Sequence, residues 1–252
     1  MKPIVIEEAP TRVTVIYDST PFVLPEAIRE KHEHFWNEQL KINPHFHNGE
    51  VFTIQKICRD SEELQITVAK TDYKHYLYTI RHEEKVFPCK VIFTCVAVIT
   101  KDNYIAFGKM NKHTSTPGRL QFTGGGLDES DLDGSLFNLE KSIEKELMEE
   151  MNLSIHSSYI NSFRPMFIKH GGVNDSWAVV FELQVDLTAR ELLVILEKHN
   201  RDITETGEDP EFAEFLLVPL DKENVHSFIQ NDLSPKEEYL EPILKKYIGG
   251  LT

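Results

Sequence analysis

Residues 124–153, GGGLDESDLDGSLFNLEKSIEKELMEEMNL, set three glycines ahead of an amphipathic helix expected over Leu136–Met151. Leu136, Leu139, Ile143 and Leu147 recur at about 3.6-residue spacing and mark the face that must be buried. Glu146, Glu149 and Glu150 stand at i, i+3 and i+4, so their carboxylates converge on a neighbouring face. Left alone, such pairs cost about a few tenths of a kcal/mol each, and these lie toward the negative end of the helix dipole. A hard divalent cation reverses that sign, because Mg2+ prefers carboxylate and carbonyl oxygens and keeps waters for a phosphate ligand. Glycine lets the backbone come close to a metal or a phosphate. The loop is neither a Walker A motif, since no Gly-Lys-Ser/Thr follows, nor a G-x-G-x-x-G fingerprint. A solvated acidic surface is the competing reading, and the conjunction of strand, glycine run and acids bordering a core stripe favours a site.

The apolar run Val91–Ile99 (VIFTCVAVI) is about half a membrane span and reads as a buried strand. Tyr104–Phe107, Phe163–Ile168, Trp177–Val185 and Phe215–Val218 are further strand candidates, and Ala189–His199 a helix. Two helices close the chain, the last expected to start at Ser234-Pro235 as cap and first turn. The first ninety residues carry strand-like pieces at Ile4–Ile6, Arg12–Tyr17, Val51–Ile57 and Leu64–Val68. A helix is expected from Pro25 to Leu40, with Ile28, Phe35, Trp36 and Leu40 on one side. Asn48-Gly49 reads as a turn, and Thr71–Tyr78 is ambiguous. The pattern changes near residue 90, giving an expected division into 1–90 and 91–252.

The 252 residues carry a net charge of −14, and Asp128 to Glu150 alone hold nine acids and two lysines. So acidic a chain has no large positive field with which to release counterions from a nucleic acid or to meet an anionic membrane. At 40% hydrophobic it has material for a core, which excludes global disorder. The segment MKPIVIEEAP has acids where a signal peptide needs an apolar stretch. Cys58, Cys89 and Cys95 form no C-x-x-C pair, so a disulfide framework and a thiolate zinc site are both unsupported, and a cytoplasmic setting is expected. His32, His34, His45 and His47 make two H-x-H pairs that read as helix surface or core edge.

Lys145-Glu146-Leu147-Met148-Glu149-Glu150-Met151-Asn152-Leu153 resembles the second half of the Nudix hydrolase box, G-x5-E-x7-R-E-U-x-E-E-x-G-U with U apolar. Lys stands for Arg, and Asn for Gly where Asn tolerates left-handed geometry. Gly126 lies twenty residues before Glu146 where the box has fifteen, which implies five inserted residues within Leu127–Leu136. Phe137 stands where the box usually has Glu. Nearly the whole chain is similar to atypical Nudix enzymes that cleave UDP-glucose. They share a stretched box entered by Leu-Phe and left by Asn-Leu, and an N-terminal extension with features like Trp36, Asn48-Gly49 and Thr71-Asp72-Tyr73. Pro117–Phe122 looks like the loop that leads into their box.

The resemblance implies an α+β fold, a Nudix α/β/α sandwich with a mixed sheet, carrying an N-terminal α+β extension. It implies Mg2+-dependent (or Mn2+-dependent) hydrolysis of a nucleotide sugar to UMP and a sugar 1-phosphate. Glu146 and Glu150 would be the principal metal ligands, with Glu149 beside them and the Gly125 carbonyl completing the site, and metal would neutralise the diphosphate and activate water. Glu146 or a carboxylate of Glu208-Asp209-Pro210-Glu211 would serve as general base. Arg119, Lys109 and Arg164 are the candidate diphosphate cations, and Tyr73 a stacking face for the base. The expected partner is a small nucleotide, with no nucleic acid and no membrane, and the chain a monomer or homodimer. The alternatives are an ADP-ribose or dinucleotide pyrophosphatase and a nucleotide-binding regulator without turnover.

Overall fold

In the computed structural model, which describes residues 2–44, 46–82, 86–114 and 116–249, the apolar run of 91–99 forms the middle of the larger of two sheets. In chain order the strands and helices are β1 (Lys2–Glu8), β2 (Arg12–Asp18), α1 (Glu26–Ile42), β3 (Glu50–Arg59), β4 (Glu63–Asp72), α2 (Tyr73–His82), β5 (Ile92–Thr100) and β6 (Tyr104–Met110). There follow the short strands β7 (Leu120–Gln121), β8 (Thr123–Gly126), β9 (Leu132–Asp133) and β10 (Leu136–Phe137), then α3 (Leu139–Met151). The chain continues with β11 (Ile160–Gly172), β12 (Trp177–Val185), α4 (Ala189–Glu205), β13 (Phe212–Pro219), α5 (Lys222–Asn231) and α6 (Leu240–Gly249). The fold is α+β.

The large sheet runs β1-β11-β12-β5-β6-β13, with β12 and β5 parallel. It is covered on both faces, and side-chain alternation along its central strands feeds two cores. Val96, Val98, Val179, Phe181 and Leu183 pack with Ile143 and Leu147 of α3 and Leu192 and Leu196 of α4. Cys95, Ala97, Ala178 and Val180 pack with Val225 of α5 and Leu240, Ile243 and Leu244 of α6. That is the helix–sheet–helix sandwich expected. The far edge of β5 is shared, its C-terminal half pairing with β6 and its N-terminal half with β8.

The smaller sheet, β3-β4-β2-β10-β9, is built from both sides of residue 90. Its β2, β3 and β4 send Val15, Phe52, Leu64, Ile66 and Val68 into the same core as α3, and β1 pairs with β11 in the large sheet. The insertion in the glycine-to-helix segment has become a one-turn 3-10 helix (Glu129–Asp131) and the β9–β10 hairpin, which extends the small sheet beyond β2.

Three expectations shift. The acidic helix starts at Leu139, not Leu136, because Asn138 caps it by accepting from the Lys141 N–H (3.0 Å), while Leu136 and Phe137 pair with Ile16 and Val15. Phe137, where a carboxylate is usual, is therefore a buried strand residue, its ring edge-on to Phe52 (4.8 Å between centroids) and Tyr17. The last helix starts at Leu240, since Pro235 is held elsewhere: its carbonyl accepts from the Leu120 N–H (2.8 Å), making 233–239 a strap along β7. The ambiguous Thr71–Tyr78 resolves into the end of β4 and the start of α2. At the other end of α3, Asn152 takes the left-handed conformation (φ 54°) and closes the helix on Leu147 and Met148 carbonyls. His32 is buried between α1 and α2, against the rings of His75 and Tyr78; His45 lies outside the described residues. Cys58, Cys89 and Cys95 are free thiols. Among the described residues no helix is long and apolar enough to cross a membrane.

Phe137→Ala should cost about 3–5 kcal/mol of stability in urea denaturation, the range for truncating a buried aromatic. A loss below about 1 kcal/mol would show that the hairpin does not join the two sheets.

Candidate active site

The site is organised by β8, whose glycines lie against β5 on one side and α3 on the other. Gly124 pairs with Cys95, and a Cβ there would come within 2.2 Å of the Thr94 carbonyl oxygen, so only glycine fits. A Cβ on Gly125 would lie 2.3 Å from Glu146 Oε1, which places the Glu146 carboxylate directly on the glycine backbone. A buried hydrogen bond between the Thr94 and Ser142 hydroxyls (3.2 Å) and the Ile143–Leu147 stripe fix α3 over β5.

Glu150 is 5% exposed. Its Oε2 accepts from the Gly124 N–H at 3.2 Å, and the Thr123 hydroxyl and the Glu211 carboxyl lie close to the group, although among the described residues Oε1 makes no hydrogen bond of full geometry. Burial pushes the Glu150 carboxyl well up, aided by Glu211 and Glu146 and opposed by the Gly124 N–H. Burial likewise holds Glu146 up at about 7; Lys145 opposes the shift, and Glu149, Glu211 and Asp131 add to it. Glu211 comes from the segment after α4, and its carboxyl is raised by desolvation and by Glu149 against the pull of His113. Glu149 is exposed, and its backbone carbonyl accepts from His199 Nε2 (2.8 Å). Lys145 pairs with the buried Asp131 of the 3-10 turn at 3.2 Å.

Among the described residues, no three His, Cys, Asp or Glu side chains are gathered closely enough to hold a metal as they stand. The donors nonetheless suit a hard cation. All are oxygens, two carboxyls are raised by burial and by neighbouring acids, and one buried carboxylate oxygen makes no hydrogen bond of full geometry among the described residues. Glu146 and Glu150 would be the ligands at the glycine strand. Glu149 adds charge from the solvent side, and Glu211 is a fourth acid that arrives through tertiary structure.

Gly124–Gly126 also border a cavity of about 790 Å3, large enough for a nucleotide. Tyr73 and Tyr76 of α2 form part of its wall, and burial pushes the Tyr76 hydroxyl up to about 12. Arg119 lines it, paired with Glu237 (2.7 Å), as does Lys169. Of the candidate cations, Lys109 and Arg164 are not in this wall. Lys109 pairs with Glu214 (2.7 Å) across β6 and β13, and Arg164 with Glu182 (3.7 Å) across β11 and β12. Sequence reasoning missed Lys169 and Glu238. The one available signal was a lysine directly after the apolar strand residues Met166–Ile168, where a charge is out of place.

No family model and no curated protein matches the chain. Many solved structures are similar to part of it, these three among them. One is a bifunctional NMN adenylyltransferase/ADP ribose pyrophosphatase of Francisella tularensis, complexed with AMP and a manganese ion. It has TM-score 0.42 and 14% identity, with 68% of this chain covered but only 44% of that longer one. Another is the NUDIX domain of Shewanella oneidensis NrtR, complexed with ADP ribose (TM-score 0.40, 12% identity, 70% and 97% covered). The third is a MutT protein of Methanosarcina mazei (TM-score 0.40, 11% identity, 65% and 96% covered).

Two outcomes are expected. Gly125→Ala should fold normally, since the obstructing atoms end a flexible side chain, yet it should displace the Glu146 carboxylate and weaken divalent-cation binding in calorimetry. In metal-free protein, Glu146 at about 7 against an ordinary 4.5 favours the folded state fully below pH 4.5. That contribution is lost as pH rises through 7, so the Tm should fall over this window, less steeply in Glu146→Gln.

Proposed function

We propose that the chain is a divalent-metal-dependent pyrophosphohydrolase of the Nudix type, cleaving a UDP-linked nucleotide sugar to UMP and a sugar 1-phosphate. The observation that carries this reading is the half-buried Glu146 and the buried Glu150 set against a glycine strand that borders a nucleotide-sized cavity. A binding module has no physical need of such a destabilising group of acids, whereas a site for a cation and a diphosphate does.

Glu146 and Glu150 would hold Mg2+ or Mn2+, which when bound neutralises the diphosphate and lowers the pKa of the attacking water. The chain itself positions the reactants. The glycine strand lets the diphosphate approach the backbone, Arg119 stands in the cavity wall, and the Tyr73 and Tyr76 rings flank the space for a base. In the displacement a water oxygen bonds to one phosphorus, the bridging P–O bond breaks, and the leaving phosphate takes the electron pair. The water proton passes to a carboxylate, and Glu211, with its raised proton affinity and its place beside Glu149 and Glu150, is the acid suited to take it.

The test is turnover by purified protein with Mg2+ or Mn2+ on nucleotide sugars, ADP-ribose, dinucleotides and nucleoside triphosphates, products resolved. UMP and sugar 1-phosphate are expected, with Glu150→Gln slower by about 100-fold or more. Turnover confined to ADP-ribose or dinucleotides would reassign the substrate. Binding without turnover under either metal would make the chain a regulator.

A further inference from the structure

The strap before α6 places Glu237, Glu238 and Tyr239 in the cavity wall. Glu238 is immobilised there. Its Oε1 accepts from Lys169 Nζ at 2.6 Å and its Oε2 from the Val173 N–H at 3.1 Å. Its carboxylate occupies the space beside Gly172 (φ +85°), where a Cβ would come within 2.1 Å of Oε1. Lys169 is wholly buried, and its ammonium is fully engaged, donating also to the carbonyls of Gly171 (3.0 Å) and Ser176 (3.2 Å) and to the Ser176 hydroxyl (2.7 Å). Glu237 is held in the same manner by Arg119.

Each of these carboxylates is neutralised by one cation whose charge faces it, so this wall attracts neither a phosphate nor an ammonium strongly. What it retains is acceptor capacity, since a carboxylate has about four lone-pair sites and Glu238 uses two. Fixed, half-buried acceptors with free lone pairs suit neutral hydroxyl donors, and their rigidity lowers the entropic cost of binding. We propose that Glu238, with Glu237 beside it, is the hydroxyl-reading end of the cavity, accepting hydrogen bonds from the sugar of the nucleotide sugar while Lys169 acts as the positioning residue. The assignment of that polyol as the substrate's sugar rests on the pyrophosphohydrolase reading; the acceptor geometry does not.

The test compares UDP-glucose with UDP. Binding to the full chain is read by saturation-transfer NMR and titration in EDTA, and KM and kcat are read with Mg2+. The wild type should bind UDP-glucose more tightly than UDP, with saturation reaching the glucose protons. Glu238→Gln removes one acceptor and should weaken UDP-glucose about ten-fold while moving UDP less than about two-fold, as expected for losing one charge-assisted hydrogen bond. An equal loss for both ligands, an unchanged preference, or no preference in the wild type would overturn the proposal. If Glu238→Gln fails to fold in a thermal melt, Glu238→Asp, which keeps the charge opposite Lys169 and withdraws the carboxylate from the cavity, carries the same expectation. A wild type that shows the sugar preference but hydrolyses no anhydride would sink the enzymatic reading and leave the hydroxyl site standing.

Discussion

The contact between two buried carboxylates and the backbone of a glycine strand governs the rest of the molecule. Glu150 accepts from the Gly124 N–H, and Glu146 lies where a Gly125 side chain would be. Neither arrangement survives unless β8 lies flat against β5 and α3 is clamped over it by Ile143, Leu147 and Met151. The apolar packing thus works against an electrostatic load, holding acids together that would relax apart on a free helix. The two-sided burial of β5 and β12 supplies the rigid base for this.

The N-terminal ninety residues are part of the same construction. They provide β1 to the large sheet and most of the small one, and the hairpin between the glycine strand and α3 fastens that small sheet to the site. Phe137 serves packing, its ring lodged between Phe52 and Tyr17. Asp131, buried against Lys145, ties the 3-10 turn to α3 in the same region.

Much of this was legible in the order of residues because the signals are local. The α3 stripe, the Asn152 terminus, the apolar β5 run and the i, i+3, i+4 glutamates all follow from spacing along one element. The start of α3 was misplaced because a two-residue strand such as Leu136–Phe137 has no period to detect. The strap was misread because Ser234-Pro235 has the form of a helix start, while its real partner, Leu120, lies 115 residues away in sequence. Lys169–Glu238 and Glu211 were beyond or at the edge of reach for the same reason: tertiary pairing brings them to the site. Lys109 and Arg164 sit in strands that border the fold's centre, and the face each occupies is set by ladder register.

The two rims of the large sheet carry a further consequence. Both outermost strands end the ladder with backbone donors and acceptors of the kind a second sheet recruits, and each is furnished against that event. β1 has Pro3, a bulge between Lys2 and Val5, and two consecutive glutamates at its end; β13 has Glu214 and ends at Pro219. Prolines remove ladder donors, bulges twist an edge out of register, and like charges repel a matching strand from another copy. The acid-rich character concentrated around α3 at the centre therefore recurs at the periphery, where it opposes the stacking of neighbouring molecules sheet to sheet.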